Sequence, residues 1–228
     1  MKKQTFKNYQ IAIDGPAGSG KSTIAKKTAK RFGILYIDSG AMYRAVTYYL
    51  LMKGLIGLRG NKLKSCIEKI KISFGEGKVQ KVFLNNKNVT NEIRSLTVTK
   101  YVSEVSAIKE IREILVKRQQ EFGSKSSIVM DGRDIGTKVF PDANLKIYLT
   151  ASSLVRAQRR ILDFKNAGNI IKLKEIEKQI VARDKYDSSR NISPLLKPHD
   201  AIVVDSSYLS INEVLDQLCS FLPENIVN

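Results

Sequence analysis

Residues 11–23 read IAIDGPAGSGKST, an apolar strand pattern followed at once by a glycine-rich turn and a helical pattern. The turn has the spacing G-x-x-x-x-G-K-[ST], with Gly15, Gly20, Lys21 and Ser22 at the fixed positions. Glycines let successive backbone N–H groups curl around a phosphate, and the dipole of the following helix favours anions there. The stretch therefore predicts a phosphate-binding P-loop on a parallel sheet.

The side chains of this loop point to a nucleoside triphosphate. Lys21 supplies a positive charge for the phosphates, and the Ser22 hydroxyl can bind Mg²⁺. A glycine-rich turn that served only as a connection would need neither residue. The predicted ATP-binding residues are Gly15, Pro16, Ala17, Gly18, Ser19, Gly20, Lys21, Ser22 and Thr23.

Strand-like apolar runs alternate with helical patterns along the rest of the chain. This alternation is typical of a parallel sheet covered by helices. We predict a P-loop NTPase-type α/β fold on a five-stranded parallel sheet. The predicted strands are Gln10–Ile13, Ile34–Ile37, Ser127–Met130, Leu145–Leu149 and Ala201–Val204.

Two other parts of the chain have clear local patterns. Residues 62–95, approximately, contain short β patterns separated by turns, which predict a small antiparallel insertion. Helical patterns cover about 97–121 and 152–167, and Ser210 with Glu213 forms a capping box for a last helix ending near Leu222.

The composition indicates a globular chain with anionic partners. Lys and Arg number 39 against 22 Asp and Glu, which gives a net charge of +17 and favours nucleotides, nucleic acid or a membrane surface. Lysines on solvated faces are the alternative explanation. The two cysteines have no disulfide or metal-ligand spacing, and no apolar run could span a membrane. We expect a cytoplasmic protein.

The stretch YIDSGAMYR, residues 36–44, brings polar side chains to the carboxyl end of the second predicted strand. Ligands of open α/β sheets bind at that edge. Asp38 and Ser39 are placed there, Tyr43 offers a ring for stacking, and Arg44 can grip a phosphate with two donors. Alternatively, Tyr43 belongs to the core of a helix and Arg44 to its solvated face.

The stretch IVMDGRDIGTKVFPDA, residues 128–143, ends another apolar strand in a carboxylate. Asp131 resembles a Walker-B aspartate, which orients Mg²⁺ directly or through water. Arg133 beside Asp134 offers a cation and an acceptor in one loop, suited to a nucleotide's phosphate and base amine. The alternative is a turn with a surface ion pair.

Arginines are concentrated in RAQRR, residues 156–160, and in IVARDKYDSSRN, residues 180–191. Phosphoryl transfer requires positioning of the reactants and neutralisation of the phosphoryl oxygens, which arginines can supply. A charged helix face is the alternative for each arginine. The candidate residues are Arg156, Arg159, Arg160, Arg183, Asp187 and Arg190.

A P-loop is shared by switches, motors and kinases. The two Asn-Lys pairs, Asn61-Lys62 and Asn86-Lys87, lack the Asp of an N-K-x-D guanine motif, which argues against a GTPase. GPAGSGKST, IDSGAMYR, EIR, SEVSAIKEIREILVKRQ, DGRDIGT, FPDA and RDKYDSSRNISPL together resemble bacterial cytidylate kinases, nearly end to end. The resemblance implies transfer of the γ-phosphoryl group of ATP, with Mg²⁺, to CMP and dCMP.

The resemblance also implies a domain organisation and residue roles. It implies one kinase domain over residues 1–228, with an acceptor-binding insertion at about 62–95 and a mobile lid at about 156–190. Lys21, Arg156, Arg160 and Arg183 would be catalytic, and Ser22 and Asp131 would serve Mg²⁺. Acceptor-binding residues would be Asp38, Ser39, Tyr43, Arg44, Ser103, Arg112, Arg133, Asp134, Asp187 and Arg190.

Within this set, Arg44, Arg112 and Arg133 would hold the acceptor's phosphate, and Asp134 with Ser103 would meet the cytosine edge. Two alternatives stay open: a kinase of another nucleoside monophosphate such as UMP, and a basic ATP-dependent nucleic-acid-binding protein. We expect a monomer without a stable nucleic-acid partner or a membrane partner.

Overall fold

The computed structural model describes residues 8–75, 80–166 and 172–223, with backbone only from residue 163 to residue 166. The chain forms two compact units: a first unit of Met1–Tyr36 with Phe122–Asn228, and a second unit of Ile37–Glu121. Residues 76–79 of the predicted insertion and 167–171 of the predicted lid lie outside the described residues. The insertion and the lid stay predictions as functional parts.

The described elements follow one another in an alternating order. They are β1 (Gln10–Asp14), α1 (Lys21–Phe32), β2 (Leu35–Asp38), α2 (Ser39–Met52), α3 (Gly60–Glu68), β3 (Ile72–Gly75), β4 (Lys81–Leu84), β5 (Lys87–Asn88), α4 (Leu96–Ser106), α5 (Lys109–Gly123), β6 (Ile128–Gly132), β7 (Leu145–Thr150), α6 (Ser153–Asn166), α7 (Leu173–Ser189), β8 (Ile202–Asp205) and α8 (Ile211–Cys219).

A five-stranded parallel sheet in the order β2-β6-β1-β7-β8 confirms the predicted fold class. In the register, Ile13 lies beside Asp131 of β6 and beside Ile147 of β7. Each predicted strand is present, and each continues one or two residues beyond its apolar pattern. The reason is that the polar residues at the strand tips, such as Asp14 opposite Gly132, still belong to the ladder.

The core of the first unit lies where α1 and α8 cover this sheet. Ile11, Ile13 and Ile147 from the central strands pack with Ile24 of α1 and Val214 of α8. Burial of such side chains contributes roughly 1.5–3 kcal/mol each. This packing holds β1 rigidly, and the P-loop follows β1 directly.

The predicted helices of the first unit are present. The 152–167 pattern forms α6. Ser210 and Glu213 make both bonds of the predicted capping box of α8, which ends at Cys219 and not near Leu222. No helix in the described ranges combines the length and apolarity needed to cross a membrane.

In the second unit, β3, β4 and β5 form the antiparallel sheet that the short β patterns predicted. The prediction was wrong for the start of that region, because residues 60–68 form helix α3. Leu63 and Ile67 are its buried residues. Their i, i+4 spacing puts both on one helix face, a signal too short to stand out among the neighbouring lysines.

The single helix predicted at 97–121 is two helices, α4 and α5, with a break after Ser106. Nη1 of Arg112 donates a hydrogen bond of 2.9 Å to the Ser106 carbonyl, which the end of α4 leaves without a helical partner. Tertiary bonds of this kind are not visible in the helical period.

Replacement of Gly15 by Ala should destabilise the protein strongly. Gly15 has φ +147°, and an added Cβ would lie 2.0 Å from the carbonyl oxygen of Leu149 in β7. We expect Gly15→Ala to cost about 3 kcal/mol or more, because backbone would have to move. Denaturant unfolding followed by circular dichroism measures the loss.

The matched control is Gly54→Ala. Gly54 also has positive φ, at +64°, but an added Cβ would meet nothing within 4 Å. Only the left-handed backbone penalty of about 1 kcal/mol is expected there. Equal losses for the two variants would contradict the contact at Gly15.

Candidate active site

The P-loop joins β1 to α1 through three left-handed glycines. Gly15, Gly18 and Gly20 have φ of +147°, +77° and +93°, values that side-chain-bearing residues rarely adopt. Gly20 is the residue before α1, so the helix begins at Lys21. The loop thus ends on the positive pole of a helix, as the motif predicts.

Lys21 is buried inside this loop, with a relative exposure of 5%. Its Nζ donates to the carbonyl oxygen of Pro16 at 2.7 Å. Burial lowers the pKa of Lys21 to about 7, and the nearby Arg133 lowers it further, while Asp131 and Asp14 oppose the shift. The ammonium is therefore poorly stabilised until an anion arrives beside it.

Ser22 and Asp131, the two predicted Mg²⁺ residues, are in direct contact. Ser22 Oγ donates to Asp131 Oδ2 at 2.8 Å, and the Tyr36 hydroxyl donates to Oδ1 at 2.9 Å. Asp131 is buried, at the tip of β6. A hydroxyl and a carboxylate are the oxygen ligands that Mg²⁺ accepts beside nucleotide phosphates, so the pair fits that ion.

Asp14 is a site residue that the sequence reasoning missed. It is 1% exposed, and its carboxylate accepts the N–H groups of Ile135 at 2.8 Å and Gly136 at 2.7 Å. Burial raises the pKa of Asp14 to about 6, against the lowering effect of these two bonds. Asp14 thereby fixes the loop that carries Arg133 and Asp134. A carboxylate at the end of an apolar strand was the available signal.

Asp187 gathers three of the predicted arginines. Its carboxylate lies 3.0 Å from Arg133 Nε, 4.0 Å from Arg183 Nε and 3.8 Å from Arg190 Nη1. Asp187 and Asp134 are both buried. The alternative of a surface ion pair between Arg133 and Asp134 is wrong, because Arg133 pairs with Asp187 and Asp134 is not on the surface.

The arginines of α6 differ from one another. Arg156 is 7% exposed and donates to the carbonyl of Ala17. Arg159 donates to the carbonyls of Ser19 and Ser206. Arg160 is half-buried. The charged-face alternative is therefore wrong for Arg156, and the catalytic roles of Arg156, Arg160 and Arg183 stay predictions.

The second unit holds the other predicted acceptor residues. Asp38 caps α2 by accepting the N–H of Ala41, Ser39 is buried, and Ser103 is half-buried on α4. Arg44 Nη1 donates to the carbonyl of Ile93 and to Thr99 Oγ1, at 3.2 and 2.9 Å.

Tyr43 is 7% exposed, and the guanidinium of the buried Arg112 lies 5.1 Å from the centre of its ring. A cation over a ring face is held by the ring quadrupole. Tyr43 therefore orients Arg112, and the acceptor roles assigned to this unit stay predictions.

A strand–P-loop–helix unit, with a buried lysine and a Ser–Asp pair at the strand tips, defines a P-loop kinase. The family model for cytidylate kinase matches residues 11–224. The chain belongs to the cytidylate kinase family, a family of nucleoside monophosphate kinases.

Two relatives support this assignment over nearly the whole chain. A cytidylate kinase of Desulfitobacterium hafniense (strain Y51) is 44% identical over 220 residues, covering 96% of this chain and 95% of the relative. A cytidylate kinase of Listeria innocua serovar 6a is 48% identical over 222 residues, covering 97% and 99%.

A solved structure shows the same fold. A crystal structure of an uncharacterized protein from Eubacterium ventriosum aligns with a TM-score of 0.51 at 13% identity, covering 94% of this chain and 98% of that chain. The resemblance expected from the motifs is thus confirmed as membership of the family.

Binding of ATP at about pH 8 should take up a proton. Lys21 has a pKa of about 7 in the ligand-free protein, so it is mostly neutral at that pH. Phosphate oxygens beside Nζ favour the charged form and raise this pKa. We expect uptake of about one proton per ATP bound. Calorimetric titration in buffers of different ionisation enthalpy measures it.

The control is Lys21→Arg, which keeps a charge at every accessible pH. It should bind ATP without this proton uptake. The assignment to Lys21 fails if the variant and the natural protein take up the same number of protons.

Proposed function

We propose that this chain transfers the γ-phosphoryl group of ATP to CMP and to dCMP, giving ADP with CDP or dCDP. The observation that carries the proposal is the assembly of Lys21, Ser22 and Asp131 at the tips of β1 and β6. Membership of the cytidylate kinase family supports CMP as the acceptor. dCMP is included because the sequence contains no motif that distinguishes the two sugars.

In this mechanism the P-loop glycines bind the donor phosphates, and Lys21 neutralises charge on the β and γ oxygens. Ser22 and Asp131 would hold Mg²⁺, which would supply further neutralisation of the phosphate charge when bound. Arg160 and Arg183 are proposed to stabilise the charge that develops during in-line transfer.

No covalent intermediate with the protein is required, because the acceptor's own phosphate oxygen is the nucleophile. Asp131 is held by two hydroxyls and Asp14 by two backbone N–H groups. The charged groups are therefore oriented before the substrates bind, which lowers the reorganisation needed for transfer.

Asp134 is proposed to read the base. A carboxylate accepts a hydrogen bond from the exocyclic amine of cytosine, whereas uracil presents a carbonyl there. An acceptor facing an acceptor leaves a buried polar group unpaired, at a cost of roughly 1–3 kcal/mol. The buried position of Asp134 supports this role, since no water can fill the missing bond easily.

The proposal is tested by an ADP-release assay with Mg·ATP and equal concentrations of CMP, dCMP, UMP, AMP, GMP and dTMP. We expect turnover with CMP and dCMP well above that with the others. Preference for another acceptor would keep the kinase and discard the base assignment, and turnover with no acceptor would discard the function.

Asp134→Asn should shift the preference from CMP toward UMP. The amide can donate to the uracil carbonyl and no longer offers a full carboxylate to cytosine. A change in the CMP-to-UMP ratio of kcat/KM by roughly tenfold or more is expected, the usual range for a lost specific hydrogen bond. An unchanged ratio, with both rates reduced equally, would contradict base reading by Asp134.

The proposal also includes action as a cytoplasmic monomer. The nucleic-acid-binding alternative is separated by salt: such a protein should lose about 10³–10⁵-fold in affinity between 50 and 200 mM salt. Size-exclusion chromatography with light scattering checks the oligomeric state.

A further inference from the structure

Ala17, in the middle of the P-loop, is held at both of its backbone polar groups. Its N–H donates to Asp184 Oδ1 at 3.0 Å, and its carbonyl accepts from Arg156 Nη1 at 2.9 Å. The same Nη1 pairs with the other carboxylate oxygen, Oδ2 of Asp184. Three residues therefore close a ring of hydrogen bonds, which we call the Ala17 bracket.

The bracket is shielded from solvent. The side chains of Arg156 and Asp184 are 8% and 17% exposed, and Arg156 Nε donates to the carbonyl of Ala151 at 2.9 Å. A Cβ on Gly18 would lie 3.2 Å from both the Cβ and the carbonyl oxygen of Arg156. The loop thus packs directly on the start of α6, with little room to change shape.

The chemistry of the bracket favours a positioning role. Hydrogen bonds with charged partners are about twice as strong as neutral ones. Asp184 balances the charge of Arg156, and the two anchors come from different helices, α6 and α7. A loop that must present several N–H groups to one phosphate gains affinity when its shape is fixed beforehand.

We propose that Asp184 and Arg156 are positioning residues that fix the P-loop for the donor's phosphates. This assigns Asp184 a role that the sequence patterns did not indicate, and it replaces direct phosphate neutralisation as the role of Arg156. The inference rests on the proposed function, because its ligand is the triphosphate of ATP.

The test is the variant Asp184→Asn in the full chain. Its amide still accepts from Ala17 N–H or donates, but it loses the charge that holds Arg156. The Kd for Mg²⁺ with β,γ-imido-ATP should rise about tenfold, as expected for loss of one buried charged hydrogen bond. The Kd for CMP should change less than about twofold. Calorimetry measures both.

The matched control is Asp216→Asn, which breaks the exposed ion pair between Arg31 and Asp216. Exposed pairs contribute little, so both dissociation constants should stay unchanged. If Asp184→Asn does not fold, Arg156→Lys serves instead, because it keeps the charge but lacks the planar fork. The same selective rise for ATP is expected.

A double variant separates positioning from direct phosphate contact. Within one bracket, Arg156→Met together with Asp184→Asn should weaken ATP binding no more than the worse single variant. Multiplying effects, or a loss of kcat in Arg156→Met alone with ATP binding intact, would overturn the inference. So would a lower melting temperature of Asp184→Asn with an unchanged Kd for the ATP analogue.

Failure of the proposed function has a different signature. A natural protein that binds the ATP analogue but does not phosphorylate CMP would overturn the acceptor assignment. The bracket's effect on ATP affinity would still be measurable in that protein, so the two failures are distinguishable.

Discussion

The missing side chain at Gly15 is the constraint on which the rest of the site depends. Its α-carbon faces the Leu149 carbonyl of β7 so closely that no Cβ fits between them. The chain can therefore leave β1 in a left-handed turn and reach Gly20, where α1 begins. Lys21 and Ser22 owe their positions to this turn, since they are the first residues of that helix.

Charged groups buried around this turn are each matched by specific donors. Asp14 has two backbone N–H groups, Asp131 has two hydroxyls, and Asp184 has a backbone N–H and a guanidinium. An unmatched buried charge would cost far more than the fold could tolerate. The matching partners make the site rigid, and they leave Lys21 as the group that most needs an arriving anion.

The sheet and the P-loop could be predicted from sequence because their signals are local. Apolar runs mark the strands, and the motif of residues 15–22 lies within one turn. The helix α3 was missed because only Leu63 and Ile67 carry its pattern. The break between α4 and α5 was missed because a tertiary bond from Arg112 accompanies it.

The supporting residues of the site could not be read in the same way. Tyr36 meets a partner 95 positions away, Asp14 one 121 away and Asp184 one 167 away. Only the fold brings these pairs together. Family motifs placed Asp131, Arg133 and Asp187 in the correct loops, but not the partners that each one has.

Asp187 acts on its three arginines as a built-in competitor. An incoming anion must displace a carboxylate that is tethered at high effective concentration and excluded from water. Inorganic phosphate, chloride or sulfate offers few bonds in exchange and loses this contest. A nucleotide that engages other groups at the same time can afford the exchange. The carboxylate thus acts as a threshold that filters the abundant small anions of a cell from the substrates.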